Sequence, residues 1–321
     1  MTTTATVPDD ARNRTIGVLL AMVGAGLFSL KGVVIKLAFA EGMGVGQLLT
    51  WRMAFSLPFY LGIGIWVFMR GGRRPGAKFY LAAAGLGLLS YYVSSYLNFM
   101  GLQYVSAQLE RLILYIYPTM VAVLAWMFLK ERATARHIVA LLLAYAGVFI
   151  LFGSEIGHQG PDVLLGGGLV FAGAFLYAIY VTASRPVISR MGTGLFTSFA
   201  MSAASVAFLI QSGVEMSLHP QPPVTVNGYW LSFFLATVCT VIPSFMIAEA
   251  IRRIGPGSMS AIGGVGPVVA AWAAVAILHE PFGWPHVAAM LLTLAGVWLL
   301  ARQSPKMVKE AVATPGRTPK L

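Results

Sequence analysis

Four ionisable side chains fall inside otherwise apolar stretches of the sequence: Lys31, Arg52, Glu110 and Arg111. A charge at the centre of a bilayer costs about 2.5 to 3.5 kcal/mol even on the mildest scale, so such a side chain is paired, led to the interface or used. Neighbours at i and i+1 on a helix diverge by about 100°, so Glu110 and Arg111 cannot both face one partner directly. Glu110 is therefore expected to pair with Lys31 or Arg52, leaving at least one cation free for an anionic group such as a carboxylate. The competing arrangement has all four charges snorkel or pair to join helices, with any solute bound elsewhere. Tyr91, Ser94 or Ser95, and Asn98 recur at helical spacing and form a polar stripe. Tyr115 follows Arg111 by four residues and Tyr117 follows Glu110 by seven, which gives each charge an aromatic hydroxyl on its own face. Aromatic walls with a few convergent polar groups suit a small-solute pocket. Tyr at a lipid interface and Ser or Asn bonding between helices would instead serve only the fold.

The elements that must position these residues follow from composition. The chain has 321 residues, 58% hydrophobic and 10% charged, with a formal net charge of +11. Soluble domains carry about 25% charged residues. The basic residues fall in short clusters between long apolar runs, so they mark membrane topology and do not form a patch for nucleic acid. A soluble enzyme, a DNA-binding protein and a disordered tail protein are all excluded. Cys239 is the single cysteine, which removes any intramolecular disulfide or CxxC site.

A bilayer core of about 30 Å needs roughly 20 apolar residues in a helix. Ten stretches qualify or nearly do: 15–38, 46–69, 79–101, 105–129, 136–153, 163–184, 194–214, 229–252, 258–278 and 283–301. The expected class is thus an all-α integral membrane protein of ten transmembrane helices, with an N-terminal tail at 1–14 and a basic disordered tail at 302–321. With the N-terminus inside, eighteen of the 22 Lys and Arg residues collect in inner loops and tails, and the other four are Lys31, Lys36, Arg52 and Arg111. Outer loops carry Glu41, Glu155, Asp162, Glu215 and Glu280. This places both termini in the cytoplasm and the protein in the inner (plasma) membrane. The four intramembrane charges of the first paragraph then share an outer-half depth with a residual of +2.

Sliding the chain against itself by 149 residues aligns 117–151 with 266–300, with thirteen identities in 35 positions. They include Pro118 with Pro267, Glu131 with Glu280, His137 with His286, and the Ala-Gly-Val triplets at 146–148 and 295–297. The same offset aligns Gly24-Ala25 with Gly173-Ala174, so helices one to five (15–153) duplicate as six to ten (154–301). Five is odd, so the second copy enters the membrane upside down. Inverted repeats allow alternating access around a midplane site, which points to a carrier. Lys31, Glu110 and Arg111 meet Tyr180, Met259 and Ser260 at this offset, so the charge group has no copy. The matched prolines Pro118 and Pro267 are read as hinges, and Glu131 and Glu280, at opposite faces, as caps or gates.

The segment GLQYVSAQLERLILYIYPTMVAVLAWMFLKER followed by AGV, with its second copy GPVVAAWAAVAILHE and LAGV, resembles the EamA-type repeat of the drug/metabolite transporter superfamily. Arg52 in LLTWRMAF resembles an Arg common early in that family's second helix. The resemblance covers about 15–301. It implies a ten-helix secondary carrier for a small organic solute, often an exporter of amino acids or related metabolites. Separately, H+ or Na+ is a candidate coupling ion, and a monomer or weak dimer is expected. No HExxH or DxxD pattern appears, so no enzyme activity, metal or cofactor is expected, and no Walker pattern appears, so transport is expected to be driven by gradients or not driven at all. A membrane-embedded enzyme or a non-transporting scaffold is the alternative.

Overall fold

A computed structural model of the chain describes residues 7–70, 75–129, 135–218 and 222–301. Helices account for nearly all of them, because inside a bilayer each backbone N–H and C=O must find a partner within its own segment. Helix α1 (Val7–Ser29) runs into α2 (Lys31–Ala40) with a break at Leu30, and α3 (Val45–Met69) follows. The next run is α4 (Ala77–Gly87), a π-helical stretch (Leu88–Ser94) and α5 (Ser95–Gly101). Then come α6 (Ala107–Tyr115) and α7 (Tyr117–Leu129), broken at Ile116, and three long helices, α8 (Ala135–Gln159), α9 (Asp162–Met191) and α10 (Thr193–Leu218). Helix α11 (Val226–Ala236), a second π-helical stretch (Thr237–Val241) and α12 (Ile242–Ile262) form one run, and α13 (Val265–Leu278) and α14 (Trp284–Ala301) complete the described chain.

Seven helical segments among the described residues are long and apolar enough to cross a membrane: Asn13–Ala40, Val45–Met69, Ala107–Leu124, Ile138–Gly157, Asp162–Ser184, Thr193–Glu215 and Val226–Ile247. The sequence led us to expect ten. Val265–Leu278 and Trp284–Leu299 are apolar but shorter, and the run from Ala77 to Gly101 is diluted by its Tyr, Ser and Asn residues. Two boundaries also move. The first helix begins at Val7, inside the stretch expected to be a tail, as Pro8, Asp9 and Asp10 suit the first turn of a helix. Helix α12 continues to Ile262, past the loop expected near 253–257, and the chain breaks at Gly263–Gly264, where glycine is a poor helix former. Glu131 and the 302–321 tail lie outside the described residues.

Large apolar side chains point outward all round the bundle, among them Leu81 at 77% exposure and Phe149 at 68%. Such a surface belongs in lipid. Inside, small residues bring helices together. A Cβ at Gly147 of α8 would lie 2.5 Å from the carbonyl oxygen of Ala289 in α14, and a Cβ at Gly296 would lie 2.5 Å from that of Ala140. Gly147 thus opposes Ala289 and Thr293 while Gly296 opposes Ala140 and Ala144, so α8 and α14 run antiparallel. Each of these residues has its counterpart 149 positions away. The same offset relates two further contacts: Gly17 meets Arg253 and Ile254, and Gly166 meets Tyr104 and Val105.

These close approaches leave no room for a side chain. Gly147→Val and Gly296→Val are each expected to destabilise the protein by about 1–3 kcal/mol through overpacking. Gly153, which has open space where a Cβ would go, should accept Ala without loss. Thermal unfolding in detergent checks all three.

Candidate functional site

The α6 helix organises the site. Its first four amides would be orphaned in an isolated helix, and here all four are bonded. Glu155 of α8 accepts from the Ser106 amide at 3.1 Å and from the Ser106 hydroxyl. Glu280, from the turn between α13 and α14, accepts from the Ala107 amide at 2.8 Å and the Gln108 amide at 3.4 Å. The Ser106 hydroxyl accepts from the Leu109 amide at 2.9 Å. Two carboxylates at the positive end of a helix are favourably placed. Glu280 also accepts from Gln108 Nε2 at 3.3 Å and lies 3.7 Å from Lys36 Nζ, so it ties α13–α14 to α2 and α6.

One turn into α6 stand Glu110 and Arg111. Glu110, 1% exposed, accepts from Asn98 Nδ2 at 2.9 Å, and Asn98 Oδ1 accepts from Lys31 Nζ at 2.9 Å. Lys31 Nζ is itself 3.7 Å from Glu110 Oε1. Asn98 of α5 is therefore a hinge pin between two opposite charges on α2 and α6. Gly32 makes the approach possible, since a Cβ there would lie 3.1 Å from Glu110 Oε2.

The other two cations have no carboxylate within 4.0 Å among the described residues. Arg52 of α3, 4% exposed, donates from Nε to Thr240 Oγ1 at 3.3 Å, and its buried Nη1 makes no hydrogen bond. Arg111 donates from Nη2 to Ser29 Oγ at 2.7 Å, and its buried Nε makes none. Ser29 in turn donates to the Ala25 carbonyl at 2.6 Å, a back-bond of the kind that bends helices, and α1 ends there. Thr240 lies in the second π-helical stretch and donates to Leu235 O at 2.8 Å, five residues back. With Lys31 neutralised by Glu110, the group keeps a charge of about +2.

Aromatic rings surround it. Tyr117 meets Tyr177 edge-on at 5.1 Å, Tyr177 stacks on Tyr180 at 5.7 Å, and Tyr91 meets Tyr180 at 5.4 Å with the two hydroxyls 3.1 Å apart. Tyr115 and Tyr117 lie within electrostatic reach of Arg111.

The structure thus brings Lys31, Asn98 and Glu110 into direct contact, sets Arg111 against Ser29, and places Arg52 on α11–α12. Ser94 leaves the group, donating to Gly173 O at 2.7 Å, and half-buried Ser95 makes none of these bonds. Tyr117 begins a new helix after the break at Ile116, so it is no longer on the face of Glu110 that an unbroken helix would give it. Pro118 and Pro267 both stand in the first turn of a restarted helix, where a missing N–H costs little. Ser29, Thr240, Tyr177, Glu155 and Lys36 were not among the candidates. Only Lys36 carried a signal, as a charge inside an apolar run. Among the described residues no group of three or more His, Cys, Asp or Glu could hold a metal ion.

Helical bundles with apolar girdles and a buried charge group define a multi-pass membrane protein. The EamA-like transporter family matches residues 15–153 and again 164–302, and the chain belongs to that family. It is 25% identical over 282 residues to an uncharacterized transporter, YcbK, of Bacillus subtilis (strain 168), covering 85% of this chain and 88% of the relative. It is 28% identical to a probable terminal-alkyne amino-acid exporter of Streptantibioticus cattleyicolor, covering 77% and 81%. A solved crystal structure of a protein with 19% identity covers 90% of this chain and 98% of its own at a TM-score of 0.61, and so has the same fold.

Removing one partner of a buried ion pair strands the other. Glu110→Leu is expected to cost about 3–5 kcal/mol, and the double change Lys31→Met with Glu110→Leu to recover most of it. Glu280→Ala, which loses a helix cap, should cost about 0.5–2 kcal/mol. Melting curves of the purified variants test both.

Proposed function

We propose that the chain is a secondary carrier of ten transmembrane helices in two inverted repeats, 15–153 and 154–301, that exports a small organic metabolite by alternating access. The solute is an amino acid or a related compound bearing a carboxylate. The observation that carries this reading is the pair of guanidiniums, one on buried Arg52 and one on half-buried Arg111 with its Nε shut off from solvent, that face no carboxylate of their own among the described residues. Burying an uncompensated ion costs several kcal/mol, and an anionic solute offsets that cost only while bound.

The inverted arrangement is supported by the two family matches, which start 149 residues apart, and by the exchanged contacts of Gly147 and Gly296. The orientation, with both termini in the cytoplasm of an inner (plasma) membrane, is supported by charge. Glu41, Glu155, Glu215 and Glu280 gather at the end reached by α2, while Arg253 pairs with Glu249 at 2.7 Å and with Asn13 at 2.8 Å at the other. Glu280 is the outer gate, tying the second repeat to α2 and α6, and Glu131 is its inner counterpart. Pro118 and Pro267 mark the hinges. Lys31, Glu110, Asn98, Tyr91, Tyr115 and Tyr117 line the path beside the two arginines, while Ser94 ties its helix to Gly173 instead. H+ or Na+ drives the exchange. Export is favoured by the name of one relative, a probable amino-acid exporter.

Arg111→Leu is expected to abolish transport, a loss of at least a hundredfold, while folded protein still reaches the membrane. Comparing solutes inside and outside an overproducing strain and a deletion strain identifies the cargo. If no small solute changes in either compartment, and reconstituted vesicles take up nothing from a broad panel, the carrier reading fails.

A further inference from the structure

We infer, resting on the carrier reading just given, that the charge group is built for a small organic dianion, a dicarboxylate without an ammonium group, whose two acidic groups meet Arg111 and Arg52. Cations and rings alternate in a row across the site. Arg111 Cζ lies 5.3 Å from the centre of the Phe28 ring, Lys31 Nζ lies 6.0 Å from Phe28 and 5.8 Å from Phe99, and Arg52 Cζ lies 5.4 Å from Phe99. The middle cation is spoken for by Glu110 and Asn98. The two at the ends are not.

Each end is finished in the same way. One guanidinium nitrogen donates to a hydroxyl, Ser29 for Arg111 and Thr240 for Arg52, and one buried N–H is left without an acceptor. A hydroxyl orients a guanidinium without neutralising it. Arg52 is too deeply buried for water to screen its charge. A monoanion cancels one of these charges and leaves the other stranded, whereas a dianion answers both. The planar fork of Arg suits a carboxylate, which can take two parallel hydrogen bonds. Glu110 is already held by two partners, so a substrate ammonium finds no free carboxylate beside the row. Repetition does not impose the pair either, since Met201 and Ser260 occupy the positions 149 residues on from Arg52 and Arg111.

The full chain, purified in detergent, is titrated with succinate and glutarate and with their singly acidic counterparts butyrate and valerate, at matched ionic strength, with thermal unfolding as the readout. The dicarboxylates are expected to bind at least about tenfold more tightly than the counterparts. Arg52→Met should bring the two classes to parity, and Arg52→Lys should restore part of the difference, which a purely structural Arg52 would not do. Equal binding of both classes by the unaltered protein overturns the inference, as does a preference that survives Arg52→Met. If Arg52→Met does not fold, the unaltered protein and Arg52→Lys decide. Vesicles that carry a monocarboxylate with no preference for a dicarboxylate overturn the dianion and leave the carrier standing. Vesicles that carry nothing from neutral, cationic and anionic panels overturn the carrier as well.

Discussion

Glu110 is the residue on which the interior depends. In a low-dielectric bundle a lone cation costs several kcal/mol, and three cations approach one another between α2, α3 and α6. One carboxylate with an asparagine to extend it neutralises the central one and links three helices. Two other carboxylates, Glu155 and Glu280, set the end of the helix from which Glu110 projects. The position of α6 is thus held electrostatically from its first amide to its second turn.

Much of this was legible in the sequence, for reasons that differ from feature to feature. Apolar runs and basic clusters reveal a membrane protein because the bilayer tolerates so few alternatives. Pro118, Glu131 and the Ala-Gly-Val triplet exposed the duplication because Pro, Glu and Gly rarely match by chance among apolar letters. Lys31, Arg52, Glu110 and Arg111 stood out simply by being charged where charge is expensive. Their partners did not. Ser29 and Thr240 are ordinary residues in apolar helices, and only the fold brings them to a guanidinium.

Spacing rules failed where helices were not regular. Counting seven residues from Glu110 to Tyr117 assumes an unbroken helix, and the chain breaks at Ile116. The stripe from Tyr91 to Asn98 begins inside a π-helical stretch and packs along α9, where its polar groups find different partners: Tyr91 meets Tyr180, Ser94 meets Gly173, and Asn98 turns to the charges. Neither interruption has a Pro or Gly at its centre to announce it. The break at Gly263–Gly264, by contrast, is written in the residues themselves.

The two π-helical stretches begin at Leu88 and Thr237, 149 residues apart. A wide turn of this kind accommodates one extra residue in a helix. Both copies of the family repeat carry it at the same point. The charges are not shared in this way, since Tyr180, Met201, Met259 and Ser260 stand where Lys31, Arg52, Glu110 and Arg111 would be repeated. The two halves thus share a backbone irregularity at one matched position, and the buried charges stand in the first half alone.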